Sequence, residues 1–177
     1  MNKINQSLKG LKAGSSDFKA LSAVSKFLGT KDDGNGVTIE TASLGKGIVA
    51  QPGGLKTIQL DMKKIAGPVA SSIKSLNSGM SAKEANVVAG GSAVAHETQH
   101  LIDANQPIFD AATMRMVPQG FPTTKVYETA TEQRAYGVER SYGRGLDVDV
   151  GYSTPADVQS GVQGSVDHWC QNNSACQ

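Results

Sequence analysis

Residues 81–104 read SAKEANVVAGGSAVAHETQHLIDA, and the rest of the chain is interpreted outward from this stretch. Ser81 and Glu84 have capping-box spacing, in which a hydroxyl accepts from the backbone three positions on and the carboxylate there reaches back. A helix is therefore expected from Ala82 to about Ala104, ended by Asn105 and Pro107. At about 100° per residue, Val87, Val88, Val94, Ala95, Leu101 and Ile102 gather on one arc. His96 and His100 fall almost opposite the centre of that arc, one turn apart on a common face. One side of the helix is expected to be core and the other to present two imidazoles to a cleft.

The histidines belong to the run His96-Glu97-Thr98-Gln99-His100. Two imidazoles one turn apart can share a tetrahedral zinc ion, each nitrogen at roughly 2.0–2.1 Å. Glu97 is offset enough to reach water on the metal instead of the metal itself, which makes it the expected general base. Two exposed histidines on a solvated helix are the bland alternative. Against it, two of only three histidines in the chain occupy the motif, on a capped amphipathic helix. Catalytic zinc needs a third protein ligand and an open position. Gln106 stands where an extended motif would carry a third histidine, and the remaining histidine, His168, lies far along the chain. A second helix, expected from roughly Thr124 to Tyr142, is the better supply. Glu128, Glu132 and Glu139 share one of its faces, with Ala135 between them offering little bulk against close approach. Most glutamate clusters are solvated helix faces, and helical spacing leaves the choice among these three open.

Around this pair the chain is lean but globular. It has 177 residues, 38% hydrophobic, enough for one domain with a substantial core. Lys+Arg at 17 against Asp+Glu at 16, with no basic run, offers no footprint for nucleic acid. No apolar segment approaches the roughly 18 residues of a membrane span, and the N-terminus lacks the apolar region of a signal peptide. An α+β fold is expected over residues 1–177 as one domain. Residues 1–15 are read as an N-terminal extension. A helix from Ser16, with Ser16 as N-cap, carries Phe18, Leu21, Val24, Phe27 and Leu28 and stops at Gly29. Lys31 to Gly36 is a turn signal. Val37 to Thr41 and Thr57 to Asp61 read as strands of a small twisted sheet, separated by a passage rich in glycine and proline through Pro52-Gly53-Gly54. A loop is expected from Asn105 to about Pro122, and an irregular tail over 143–177. Cys170 and Cys176 sit in that tail, where a short-loop disulfide and two free thiols are both open.

The helix with His96 to His100, followed by Glu132-Gln133-Arg134-Ala135-Tyr136-Gly137, resembles zincins whose third ligand is the glutamate of a Glu-x-x-Ala element. The order strand, strand, His-Glu-x-x-His helix, Glu-x-x-Ala-x-Gly helix over about 18–142 resembles the NleD-like effector metallopeptidases, which include the toxin domains of Rhs-type polymorphic toxins. The resemblance implies a zincin-like fold, Zn2+ held by His96, His100 and Glu132, and Glu97 as general base. It implies an endopeptidase acting on a protein or peptide substrate, secreted or delivered into a target cell, with a secretion apparatus and an immunity protein as partners. Neither nucleic acid nor membrane is among the expected partners. Tyr136 stands where the broader pattern carries an acid, so the partner that would orient the histidines is unassigned. Tyr127, Tyr136, Tyr142 and His168 are candidate donors to the oxyanion, Tyr136 and His168 being those carried forward as transition-state stabilisers. Hydrolysis of a cell-wall peptide, and a zinc-binding module without catalysis, are the competing readings; an intact Glu97 argues against the last, since a structural zinc needs no base.

Overall fold

In the computed structural model, residues 2–29, 36–111 and 113–176 are described. Helix α1 (Asn2–Gly10) and helix α2 (Ser16–Leu28) come first. The former lies within the N-terminal extension and packs onto the body of the fold. Ile4 is buried in the main core, and the Ser7 hydroxyl donates to the carbonyl of Tyr142 at 2.7 Å. The N-cap of α2 is Ser15, not Ser16: its side chain accepts from the Phe18 amide at 3.2 Å, while Gly29 ends the helix at φ 72°. Leu21, Val24 and Leu28 supply the core face. The turn expected over residues 31–36 lies, apart from Gly36, outside the described residues.

Strands β1 (Thr38–Thr41), β2 (Ala50–Gly54) and β3 (Thr57–Leu60) form a sheet of order β1-β3-β2. β1 runs parallel to β3, pairing Ile39 with Ile58, and β2 runs antiparallel, pairing Ala50 with Leu60. β2 occupies part of the passage rich in glycine and proline. Its Pro52 is tolerated because the strand lies at the sheet edge, and the register shifts between Pro52 and Gly54. Only β3 contributes deeply buried side chains, Ile58 and Leu60. Buried Asp61 then caps the next helical run, accepting from the Lys64 amide at 3.3 Å, and also accepts from the Leu44 amide at 3.2 Å. The Lys64 ammonium donates to the carbonyls of Leu44, Gly45 and Ile48, so the loop before β2 is pinned from below. That run consists of α3 (Met62–Lys64), a π turn (Ile65–Val69) containing Pro68, and α4 (Ala70–Leu76). It was not anticipated from the sequence; Ile65, Ala70 and Ile73 bury it against the core.

Helix α5 (Ala82–Ala104) matches its expected bounds, and Ser81 accepts from the Glu84 amide at 3.1 Å. Its imidazole side is enclosed instead of open to a cleft, and its apolar arc is not wholly buried. Val87 is 47% exposed, and the four consecutive residues Thr98, Gln99, His100 and Leu101 are all buried. The reason is position: α5 touches α2, α4, β2, β3 and α6, so it is enclosed on most sides. Strands β4 (Pro107–Asp110) and β5 (Arg115–Pro118) form an antiparallel hairpin where a loop was expected. Helix α6 (Lys125–Leu146) is capped by Thr124 and packs antiparallel on α5, as the pairs Ser92–Glu139 and Asp103–Arg134 require.

The expected irregular tail is instead helix α7 (Pro155–Gln171), opened by a reciprocal capping box between Thr154 and Asp157 with Pro155 in the first turn. Val158, Val162 and Val166 recur every four residues and form a second small cluster with Tyr136 and Tyr152. Gly161 lets α7 approach: a Cβ there would stand 2.9 Å from ring carbons of both Tyr136 and Tyr152. Cys170 and Cys176 form a disulfide at the end of α7. The fold is thus mixed α+β, with a small sheet laid on a helical body. Among the described residues no helix is long and apolar enough to cross a membrane.

Candidate metal centre

Antiparallel packing of α5 on α6 brings the two sequence motifs together at mid-helix. The Nε2 atoms of His96 and His100 stand 3.1 Å apart. Glu132 meets both, its Oε2 lying 3.4 Å from His96 Nε2 and its Oε1 3.4 Å from His100 Nε2. One ligand atom from each of the three residues lies within 4.8 Å of the others, so the group can hold a metal ion. The side chains are enclosed, with 12% exposure at His96, 10% at His100 and 9% at Glu132.

The other face of His96 explains its orientation. Its Nδ1 lies 3.0 Å from Glu139 Oε2, while the second carboxylate oxygen accepts from the Ser92 hydroxyl at 2.7 Å. A carboxylate at Nδ1 favours the proton there, which leaves the Nε2 lone pair facing Glu132 and His100. The donor set therefore suits a cation: ligand atoms of the three residues lie together, and the buried Glu132 Oε2 has no hydrogen-bond partner. Without a metal, a proton answers that demand. Burial opposes the imidazolium form of His96, but Glu132 and then Glu139 outweigh it and hold its pKa well above the usual histidine range. Burial likewise works to raise Glu132, yet the imidazoles of His100 and His96, each 3.4 Å from one of its oxygens, bring it down to about 2.

Glu97 lies in the same enclosure, 6% exposed, with its Oε2 buried and without a hydrogen-bond partner. Burial raises its pKa, and the charges of His96 and His100 oppose the rise. A carboxyl group held up by desolvation beside a cation site has the character of a proton acceptor that returns what it takes. Glu128, one turn before Glu132, is 8% exposed; burial and then the Glu132 charge push it up to about 7. A further clasp fixes the helix pair beyond His100. Buried Asp103 accepts from Gln99 Nε2 at 3.0 Å and from Arg134 Nε at 3.0 Å through both oxygens.

Tyr136 lies edge-on to the His96 ring, centroids 4.6 Å apart, and its hydroxyl is within 2.8 Å of the Ser165 hydroxyl on α7. Helix α7 thus braces the wall behind His96. Tyr127 donates to the Gly120 carbonyl at 3.4 Å, and the buried Tyr142 hydroxyl has no partner. His168 stands on α7 with its ring edge towards Gly47, and among the described residues it makes no hydrogen bond or ion pair with the cluster. The link from Glu139 to His96 was missed in the sequence, although a signal existed: Glu139 lies two turns past Glu132 on one helical face, as His96 and its neighbours do on the other helix. Ser92 and Ser165 carried no such signal.

Compared with protein-family models, with curated proteins and with solved structures, the chain matches none.

Proposed function

We propose that the chain is a zinc-dependent endopeptidase of zincin-like architecture, cleaving a protein target as a delivered bacterial effector or toxin domain. The observation that carries the reading is the convergence of His96, His100 and Glu132 with the unpartnered carboxylate of Glu97 inside one enclosure. Three nitrogen and oxygen ligands with room for a fourth are the donor set of catalytic zinc, not of a closed structural site. Zinc bound there would supply Lewis acidity toward a carbonyl oxygen and a nucleophile at neutral pH. Glu97 accepts the proton of the attacking water and delivers it to the departing amine nitrogen. Glu139, itself held by Ser92, keeps His96 turned toward the ligand cluster. The delivered-toxin part of the reading rests on the order of elements about the two motifs.

The test is a lysate digested by the purified chain with zinc and with chelator, read for new protein termini. New termini that vanish with chelator are expected. Release of peptides from cell wall, with none from lysate proteins, would move the substrate to wall amides. Bound zinc with neither product would leave a binding module. Glu97→Gln is expected to keep zinc and fold while cleavage falls by about 10²–10⁴-fold, the usual share of a general base; undiminished cleavage removes the mechanism.

A further inference from the structure

Cys170 is the next position of the every-fourth-residue stripe Val158, Val162, Val166, and it packs on the same small cluster. A stripe of this spacing runs along one helix face, so the cysteine extends the face by which α7 docks on α6. Tyr136 belongs to that cluster too. Its hydroxyl meets the Ser165 hydroxyl of α7 at 2.8 Å, and its ring lies 4.6 Å from that of Tyr152. The same ring stands at 80° to the imidazole of His96, centroids 4.6 Å apart. Contact therefore runs unbroken from Cys170 through the valines and Tyr136 to a member of the candidate ligand group.

What holds α7 in place is slight. Its buried residues are three valines and its main support is α6; elements with few buried apolar contacts open at lower cost than the core. The disulfide between Cys170 and Cys176 straps the turn Ser174–Cys176 back onto the last turn of the helix. Side chains between the cysteines add only exposed hydrogen bonds, from Asn172 Nδ2 to the His168 carbonyl at 2.9 Å and from Asn173 Nδ2 to the Trp169 carbonyl at 3.1 Å. Bonds so exposed exchange readily for water and contribute little. Both cysteines are partly exposed and residues 171–174 are exposed, so a small thiol can reach the bond.

We infer that the Cys170–Cys176 disulfide is a redox control on the metal centre: intact, it fixes α7 behind Tyr136 and His96, and reduced by a dithiol, it lets α7 loosen and the metal bind more weakly. The inference rests on the metal-binding part of the peptidase reading and on none of its chemistry. One thiolate of the dithiol attacks a cysteine sulfur and displaces the other; its second thiolate then displaces the sulfur so bound. The cysteines gain two electrons and two protons, and the dithiol leaves as its cyclic disulfide. The last turn of α7 then frays, and Ser165, roughly a turn and a half from Cys170, loses its fixed place. Tyr136 is freed to turn from His96, which keeps Glu139 at Nδ1, so the effect on the metal is partial. Metal is held tightly in an oxidising compartment and less so in a reducing one.

Zinc affinity is measured by competition with a chromogenic chelator, for the disulfide-bonded chain and for Cys170→Ser/Cys176→Ser, which has no thiols of its own to bind zinc. The double variant should bind zinc about three- to tenfold more weakly, short of the roughly 10–100-fold for losing a ligand's direct orienting partner. Its helicity by circular dichroism should be retained. Ser165→Ala cuts the route with the disulfide intact; in that background, replacing both cysteines should change zinc affinity by less than about twofold. Excess dithiothreitol, followed by thiol labelling, should open the bond in the unaltered chain while the fold persists. Equal zinc affinity with and without the disulfide overturns the inference. So does an undiminished loss in the Ser165→Ala background, or a bond that opens only once the chain unfolds. If the double variant does not fold, Ser165→Ala alone carries the test: it should itself weaken zinc, and unchanged affinity there overturns the inference. A chain that takes no zinc in any form fails the metal reading itself, a result distinct from zinc bound equally in all of them.

Discussion

The two long sides of α5 are buried for opposite reasons. Toward α2, the π turn and α4 it shares an apolar core with Leu21, Val24, Ile65 and Ile73. Toward α6 it buries Ser92, Glu97, Gln99, His100 and Asp103 against Glu128, Glu132 and Glu139. The first side is what stabilises a fold; each buried large side chain contributes roughly 1.5–3 kcal/mol. The second is what a fold tolerates, since burying carboxylates is costly unless they are paired or bind metal. A single helix thus carries the stability on one flank and the candidate metal cluster on the other. Zinc should act on one flank and truncation on the other.

Leu21→Ala should break the apolar flank hardest, lowering unfolding free energy by about 2–5 kcal/mol in urea titrations with or without zinc. A loss seen only without zinc would mean the two flanks are coupled. On the polar flank, zinc at about 100 times its Kd should raise stability by about 2.7 kcal/mol. Glu132→Gln should abolish that gain; thermal melts with added zinc read it directly, and an undiminished gain would remove Glu132 from the ligand set. Glu139→Gln should weaken zinc by about 10–100-fold in competition with a chelator, the usual cost of losing a ligand's orienting partner. The smallest effect lies far from both flanks, at the cap of α7. Thr154 hydrogen bonds hold the Asp157 pKa below its ordinary 3.8. A carboxyl group depressed in the folded state stabilises it above the unfolded value and ceases to do so as pH falls through the folded one. The α7 cap should therefore loosen only below pH 3.8, as followed by the Asp157 carboxyl resonance; a midpoint above that value would contradict the capping geometry.

Legibility in the sequence followed the same division. His96, Glu97, His100 and the bounds of α5 could be read because a short-range motif and a serine cap are local signals. Glu132 emerged from a resemblance, since three glutamates shared its face and only tertiary packing distinguishes the one opposite both imidazoles. The role of Glu139 was invisible because it depends on how far α6 lies along α5, which no spacing within either helix records. Elsewhere the failures share a cause. Pro52-Gly53-Gly54 reads only as a passage between strands but lies in an edge strand, because an edge needs fewer amide donors. Gly161, in the stretch read as an irregular tail, sits in α7, where Tyr136 of α6 and Tyr152 before α7 leave no space for a side chain. In each case contact between elements overrode local propensity.

The meeting of Gly91 with Tyr142 gives those contacts their register. The Tyr142 side chain is fully buried, and a methyl group at position 91 would land on its hydroxyl. Two smooth helices of this length could slide by a turn, about 5.4 Å, and still cover apolar surface. Here a ring on one helix enters a notch cut in the other, as a key fits its keyway. Alignment of the imidazoles with the carboxylates is thus set mechanically, at Gly91, five residues before His96.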